Sequence, residues 1–153
     1  MSRLLLLVVL LPLASACSLV RPASAPAGPA PEVAWGSSFG MCMGYCVARL
    51  EVSSAGIATL TETGSRDADL PQRVRSRPLT SGEMDNLTLA RGLSTVVTDT
   101  LGCPDCADGG AEYVEVGSQR VSFEYRGDAG PATPLAEALR QIRETFPRDP
   151  ASR

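Results

Sequence analysis

The side chains in this sequence that are best suited to chemistry are its five cysteines. Four of them form two close pairs, Cys42 with Cys46 and Cys103 with Cys106, and the fifth, Cys17, stands alone behind an apolar leader. Cysteines at such spacing can form disulfides, bind a metal ion or exchange disulfides with a partner. Cys17 therefore needs an interpretation separate from that of the other four.

Residues 1–16 have the three parts of an export signal. Arg3 supplies the positive charge, residues 4–13 form the apolar run, and the small residues 14–16 form a cleavage site. An apolar run of this length is too short to cross a bilayer as a helix, which takes about 20 residues. We expect a removable signal peptide at 1–16, and hence an exported protein.

The residues around this cleavage site, Leu13-Ala14-Ser15-Ala16-Cys17, resemble the lipobox of bacterial lipoproteins. The resemblance implies that the Cys17 thiol is acylated and anchors the protein in a membrane. With Ser18 as the next residue, it implies the outer membrane, facing the periplasm or the cell surface. Ala14 departs from the pattern, which more often has Leu at that place. The alternative is an ordinary secretory signal cut at the same site.

The rest of the chain divides by composition. Residues 17–32 carry the lipid-attachment cysteine and a Pro/Ala-rich tether, which cannot build a core. Residues 33–147 have globular patterning and suffice for one domain. We expect residues 148–153 to be a disordered tail.

The composition also excludes several classes of function. The net charge is −3 without a basic stripe, which argues against a nucleic-acid partner. The chain contains no histidine, so His-based triads, general bases and metal sites are excluded. It contains no lysine either, so no serine or aspartate has an evident activating base. We expect a protein that is not an enzyme and holds no cofactor.

Hydrophobic periodicity predicts an α+β fold, in which two helices pack on a small, mostly antiparallel sheet. One hairpin is expected from residues 46–53 and 57–63. A second is expected from residues 111–116 and 119–126, with Gly117-Ser118 as the turn. An extra strand around Trp35 is left open.

The two helices are predicted from their first turns. Thr80 and Glu83 form a capping box for a helix that ends near Gly92. Thr133 is expected to cap a second helix, with Pro134 as its first residue and Pro147 as its stop. Its apolar face consists of Leu135, Leu139, Ile142 and Phe146.

Two segments have weaker patterns. Residues 65–78 are polar and are predicted to form a surface loop, in which Arg73, Arg75 and Arg77 face solvent. Residues 94–101 fit either a helical turn or a short strand.

Export to an oxidising compartment favours structural disulfides for Cys42, Cys46, Cys103 and Cys106. Four cysteines allow more than one pairing. Bridges between the two motifs would close loops of about 60 residues and stabilise the fold by about 4 kcal/mol each, against about 2 kcal/mol for local rings. Chain entropy therefore favours bridges between the motifs.

Other uses of these thiols stay open. A four-thiolate zinc site at Cys42, Cys46, Cys103 and Cys106 has acceptable ligand spacing. The Cys-Pro-Asp-Cys motif at 103–106 invites a redox interpretation, but the carboxylates of Asp105, Asp108 and Glu112 oppose thiolate formation. A calcium site at those carboxylates lacks the EF-hand spacing.

The first motif, Cys42-Met43-Gly44-Tyr45-Cys46, resembles the opening motif of an uncharacterised family of small exported bacterial domains, which carry C-x-G-x-C at the start of a strand hairpin. Val47 departs from the Pro that often follows there. The resemblance implies fold and compartment but no activity. It also favours the local bridges Cys42–Cys46 and Cys103–Cys106, because relatives with only the first pair would close it locally.

These patterns lead to a functional hypothesis of a lipid-anchored envelope protein that binds an envelope protein or a cell-wall component without catalysis. Trp35 and Phe39 either line a ligand groove or belong to the core. The alternatives are a thiol-based module, binding zinc or redox-active, and a secreted domain that resembles protease inhibitors.

Overall fold

The computed structural model describes residues 32–64 and 70–147. The signal peptide, Cys17, the tether up to residue 31 and the tail 148–153 lie outside the described residues. Glu32, assigned to the tether by composition, donates a backbone hydrogen bond to Val52 (2.9 Å). The ordered domain therefore includes this residue.

The described residues form one seven-stranded sheet with two helices, in agreement with the predicted α+β class. The strands lie in the order β4-β3-β2-β1-β6-β7-β5, and every neighbouring pair is antiparallel except β5 with β7. The strands are β1 Val33–Ser38, β2 Tyr45–Val52, β3 Ile57–Gly64, β4 Arg73–Pro78, β5 Asp99–Thr100, β6 Ala111–Val116 and β7 Gln119–Glu124. The helices are α1 Ser81–Leu93 and α2 Thr133–Glu144.

Both predicted hairpins are present, as β2–β3 and β6–β7, but the sheet is larger than two hairpins. The strand left open around Trp35 is β1, which lies at the centre and joins the hairpins. Trp35 is opposite Leu50 on β2 and Val114 on β6. Five of the six residues of β1 are buried, so the strand lacks the polar alternation that marks a half-exposed strand.

The prediction of a surface loop at residues 65–78 is wrong for residues 73–78, which form β4 and pair with β3 at the edge of the sheet. Residues 65–69 lie outside the described part. Arg75 and Arg77 do not simply face solvent: they form ion pairs with Glu62 and Glu83. For residues 94–101 a helical turn and a short strand were both possible. The structure contains the short strand β5, which pairs in parallel with β7.

The helices begin and end close to the predicted residues. The capping box of α1 is confirmed, since Glu83 N donates to Thr80 Oγ1 (3.3 Å) and Thr80 N donates to Glu83 Oε2 (2.8 Å). The cap of α2 is wrong by one residue. Ala132 holds the N-cap position, and the Thr133 hydroxyl donates to Asp128 Oδ1 (2.6 Å), which turns the chain ahead of the helix.

The helices cover one face of the sheet and form the core with it. The largest fully buried apolar side chains are Phe123, Leu50, Leu60, Leu135, Leu139 and Val114. On the other face Tyr113 lies over Gly36, where a Cβ atom would overlap the tyrosine ring. Among the described residues, no helix has the length and apolar character needed to span a membrane.

The ion pair that fixes the start of α1 predicts a pH dependence. Hydrogen bonds from Arg77 (2.6 and 2.9 Å) lower the pKa of Glu83 to about 2. A carboxyl group whose pKa is lowered by folding stabilises the fold above its unfolded pKa, and this stabilisation is lost as the pH falls from about 5 to about 2.

We expect Glu83→Gln to lower the free energy of unfolding by about 1–2 kcal/mol at pH 7, discounted because the pair is partly exposed. Urea unfolding should show the difference from wild type vanish near pH 2. Glu137→Gln, on the exposed side of α2, is the control. An equal difference at both pH values would contradict the assignment.

Candidate functional site

Both cysteine motifs lie at the same end of the sheet. β1 runs from Val33, which pairs with Val52 and Val116, to Ser38, which pairs with Ala111 at the start of β6. The first motif follows β1 and the second precedes β6. We call these two loops, residues 39–44 and 103–110, the distal pole, because Glu32 enters the domain at the opposite end of the sheet.

Phe39 holds the two loops of the distal pole together. Its ring packs edge-on against Tyr125, with 4.4 Å between ring centroids, and lies where a Cβ atom of residue 110 would be. Gly110 has φ 84°, which favours glycine, and its carbonyl accepts hydrogen bonds from Asp105 N (3.1 Å) and Tyr125 N (3.2 Å). One packed junction therefore determines the relative position of the loops.

The cysteines are paired within each motif. Cys42 bonds to Cys46 and Cys103 to Cys106, with Cα–Cα distances of 5.6 and 5.5 Å. The bridges between motifs that chain entropy favoured are not formed. Cys46 is buried, whereas both Cys103 and Cys106 are exposed, so the second pair is the more accessible to a thiol reagent.

The arrangement of the cysteines and carboxylates matches neither the four-thiolate zinc site nor the calcium site considered for this sequence. Because each sulfur atom is bonded within its own motif, the four cysteines are not available as a thiolate set. Glu112 is buried and bound by Arg140, so it is not shared with Asp105 and Asp108. Across residues 32–64 and 70–147, no group of three or more His, Cys, Asp or Glu is placed to hold a metal ion.

Two methionines stand out from the distal pole. Met41 is 80% exposed and Met43 is fully exposed, on either side of Cys42. With Phe39 and Val47 they border an open groove of about 720 Å³, whose rim includes Asp105. Exposed apolar side chains grouped in this way are typical of interaction surfaces.

A smaller, polar pocket of about 100 Å³ lies between the sheet and the C-terminal half of α2. Towards the distal pole, the side of the sheet that faces the helices changes from apolar to polar. On that face Leu60 is followed by Glu62, and Val114 is preceded by Glu112. The pocket is lined by Trp35, Ser37, Phe39, Tyr45, Cys46, Ala48, Glu62, Glu112, Tyr125, Arg126, Arg140, Arg143 and Glu144.

Glu112 is the most deeply buried charged side chain of the pocket, at 1% exposure. Arg140 Nε donates to its Oε2 atom (2.7 Å), and Trp35 Nε1 donates to the same oxygen (3.3 Å). Arg140 also donates to the Gly127 carbonyl (3.3 Å). Trp35 therefore belongs to the core and also lines the pocket, so its two expected roles do not exclude each other.

Glu62 lies at the other side of the pocket between two guanidinium groups. Arg75 forms an ion pair with its Oε2 atom, and Arg143 Nη2 lies 3.7 Å from Oε1. The Nε atoms of Arg75 and Arg143 are buried and have no hydrogen-bond partner among the described residues. Two buried donors therefore remain unsatisfied beside the pocket.

The chain fits no protein-family model, and no curated protein matches it.

Sequence reasoning identified the cysteines and singled out Trp35 and Phe39, but it missed the methionines and the arginines of the pocket. The sequence does hold a signal for the methionines: a five-residue ring closed by Cys42 and Cys46 is too small to bury Met43. Nothing local marks Glu112 and Arg140, which are 28 residues apart in sequence.

Proposed function

We propose that this protein is a lipid-anchored, non-catalytic envelope module that binds another envelope protein through its distal pole. Cys17 is the proposed lipid-attachment residue. The observation that carries the proposal is the pair of exposed methionines at the end of the sheet opposite Glu32: Met43 lies within the Cys42–Cys46 ring, and Met41 directly precedes it.

The direction of the chain supports this role for the pole. Glu32 is bonded to Val52 at the end of the sheet remote from the cysteine loops. A lipid anchor upstream of Glu32 would hold that end towards the membrane, and the Pro/Ala-rich tether would act as an extended spacer. The distal pole would then face away from the membrane, where a partner can reach it.

The chemistry of the pole indicates what kind of partner it fits. Methionine side chains adapt their shape to an apolar partner surface, and the Cys42–Cys46 ring limits the conformational entropy lost on binding. Asp105 and Asp108 lie against this loop, since a Cβ atom on Gly40 would be 3.8 and 3.5 Å from their carboxylate oxygens. The matching surface is apolar and bordered by basic side chains.

Site-specific crosslinking tests the proposal. A photoreactive residue at position 43 of the full-length chain, expressed in the bacterial envelope, is expected to give one discrete protein adduct. The same residue at position 93, which is also an exposed apolar position, should give none. Cys17→Ser should release the chain from the membrane fraction.

Binding measurements with the purified partner then show how much the methionines contribute to affinity. Met41→Ser/Met43→Ser is expected to weaken its binding at least tenfold, as for residues at the centre of an interface. The matched control is Leu89→Ser/Leu93→Ser, which removes two exposed apolar side chains from α1. Equal adducts from positions 43 and 93, or equal affinities of the two double variants, would contradict the proposal.

A further inference from the structure

We propose that the polar pocket beside α2 binds a carboxylate, at the end of a peptide chain or on a small molecule, and that Arg143 and Arg126 are its anion-binding groups. This site adjoins the methionine surface, since Phe39 and Cys46 line both, but neither Met41 nor Met43 lines the pocket.

The balance of charges is the first argument. Three arginines and three glutamates line the pocket, and Arg75 adds a further positive charge by binding Glu62. Glu112 is neutralised by Arg140, and Glu62 by Arg75. Arg126 and Arg143 therefore face the cavity with only Glu144, an exposed residue, as a further carboxylate on the lining. The cluster is net positive and favours an anion.

The unsatisfied donor of Arg143 is the second argument. Its Nε atom is buried without a hydrogen-bond partner in the described residues, and its Nη2 atom is 3.7 Å from Glu62, too far for a good hydrogen bond. The Nε atom itself has almost no accessible surface, so a ligand in the pocket would bind the two Nη atoms of this side chain, which is 33% exposed. The two Nη atoms of a guanidinium group form a parallel pair of donors, which matches the two oxygens of a carboxylate.

The size of the cavity limits the ligand. About 100 Å³ is well below the roughly 300–1,000 Å³ typical of sites for whole drug-sized molecules. It holds one terminal group, and the rest of a longer ligand must lie outside. Phe39, Tyr45 and Tyr125 form aromatic walls at the side of the distal pole, where an alanine-sized side chain can pack.

A titration with short peptides tests this site. The protein from residue 18 onward, which contains every described residue, is titrated with N-acetyl-alanyl-alanine and with the same peptide as a C-terminal amide. We expect the acid to bind at least tenfold more tightly than the amide. Acetate that displaces the acid at equal concentration would assign a free small carboxylate as the ligand, whereas displacement only at much higher concentration assigns the peptide end.

Variants locate the binding groups. Arg143→Gln is expected to weaken binding of the acid at least tenfold, and Arg126→Ala about threefold or more, because Arg126 is exposed. Arg120→Ala removes an arginine on the other face of the sheet and should leave binding unchanged. Arg126→Ala alters an exposed side chain and should keep the fold. The affinity of this variant for the acid therefore tests the proposal even if Arg143→Gln does not fold. Equal binding of acid and amide, or unchanged binding by Arg126→Ala and a folded Arg143→Gln, would overturn the proposal.

Discussion

Replacing Arg140 with methionine is expected to lower the free energy of unfolding by about 3–5 kcal/mol. Arg140 provides the guanidinium partner of Glu112, which is 1% exposed. Methionine keeps much of the side-chain volume but leaves the carboxylate buried, with the Trp35 indole as its one remaining side-chain donor in the described part of the chain. A buried charge that loses its partner is among the most destabilising changes in a folded domain. Urea unfolding at neutral pH measures the loss.

A second substitution separates charge from packing at the same place. Glu112→Gln combined with Arg140→Met removes the buried charge and keeps an oxygen acceptor for Trp35, so the double variant should recover at least half of the loss. Arg120→Met is the control, because Arg120 binds Glu115 on a more exposed surface and should cost at most about 1 kcal/mol. If the double variant were no more stable than Arg140→Met, the buried charge would not be the cause.

Replacing Gly110 with alanine is expected to cost about 2–4 kcal/mol, from two separate causes. The added Cβ atom would overlap the ring of Phe39, and φ 84° is unfavourable for any residue with a side chain. Phe39 would have to move, and it is the junction of the two cysteine loops. Urea unfolding and the near-ultraviolet circular dichroism of the aromatic rings should both change.

Gly117→Ala is the matched control for this prediction. Gly117 has φ 58°, but apart from its two chain neighbours no described residue has an atom within 4 Å of the position where its Cβ would be. It should therefore show only the conformational cost, about 1–2 kcal/mol. If both alanine variants lost the same stability, the contact with Phe39 would not contribute.

The sequence predicted those elements whose pattern is local. The β2–β3 and β6–β7 hairpins follow from alternation, and α1 follows from the reciprocal contacts of Thr80 and Glu83. β1 and β4 were harder for opposite reasons. β1 is buried on both faces and has no alternation, while β4 places arginines where an apolar residue would have marked the strand.

The candidate sites were predictable only in part, because charged residues become a site through tertiary contacts. The two cysteine motifs can be recognised from the spacing of their cysteines in the sequence. Glu112 meets Trp35 across 77 positions and Arg140 across 28, and neither contact leaves a mark in the local sequence. Only the folded chain reveals that Glu112, near the start of β6, is buried and paired.

The central position of β1 determines how the domain carries a mechanical load. Any force on the residues before Glu32 is applied to the first residue of a strand that is hydrogen-bonded to β2 on one side and β6 on the other. Such a strand cannot be unzipped from an edge one bond at a time; it must slide out of two antiparallel ladders together. A domain pulled from this point therefore resists extension through both ladders of its central strand.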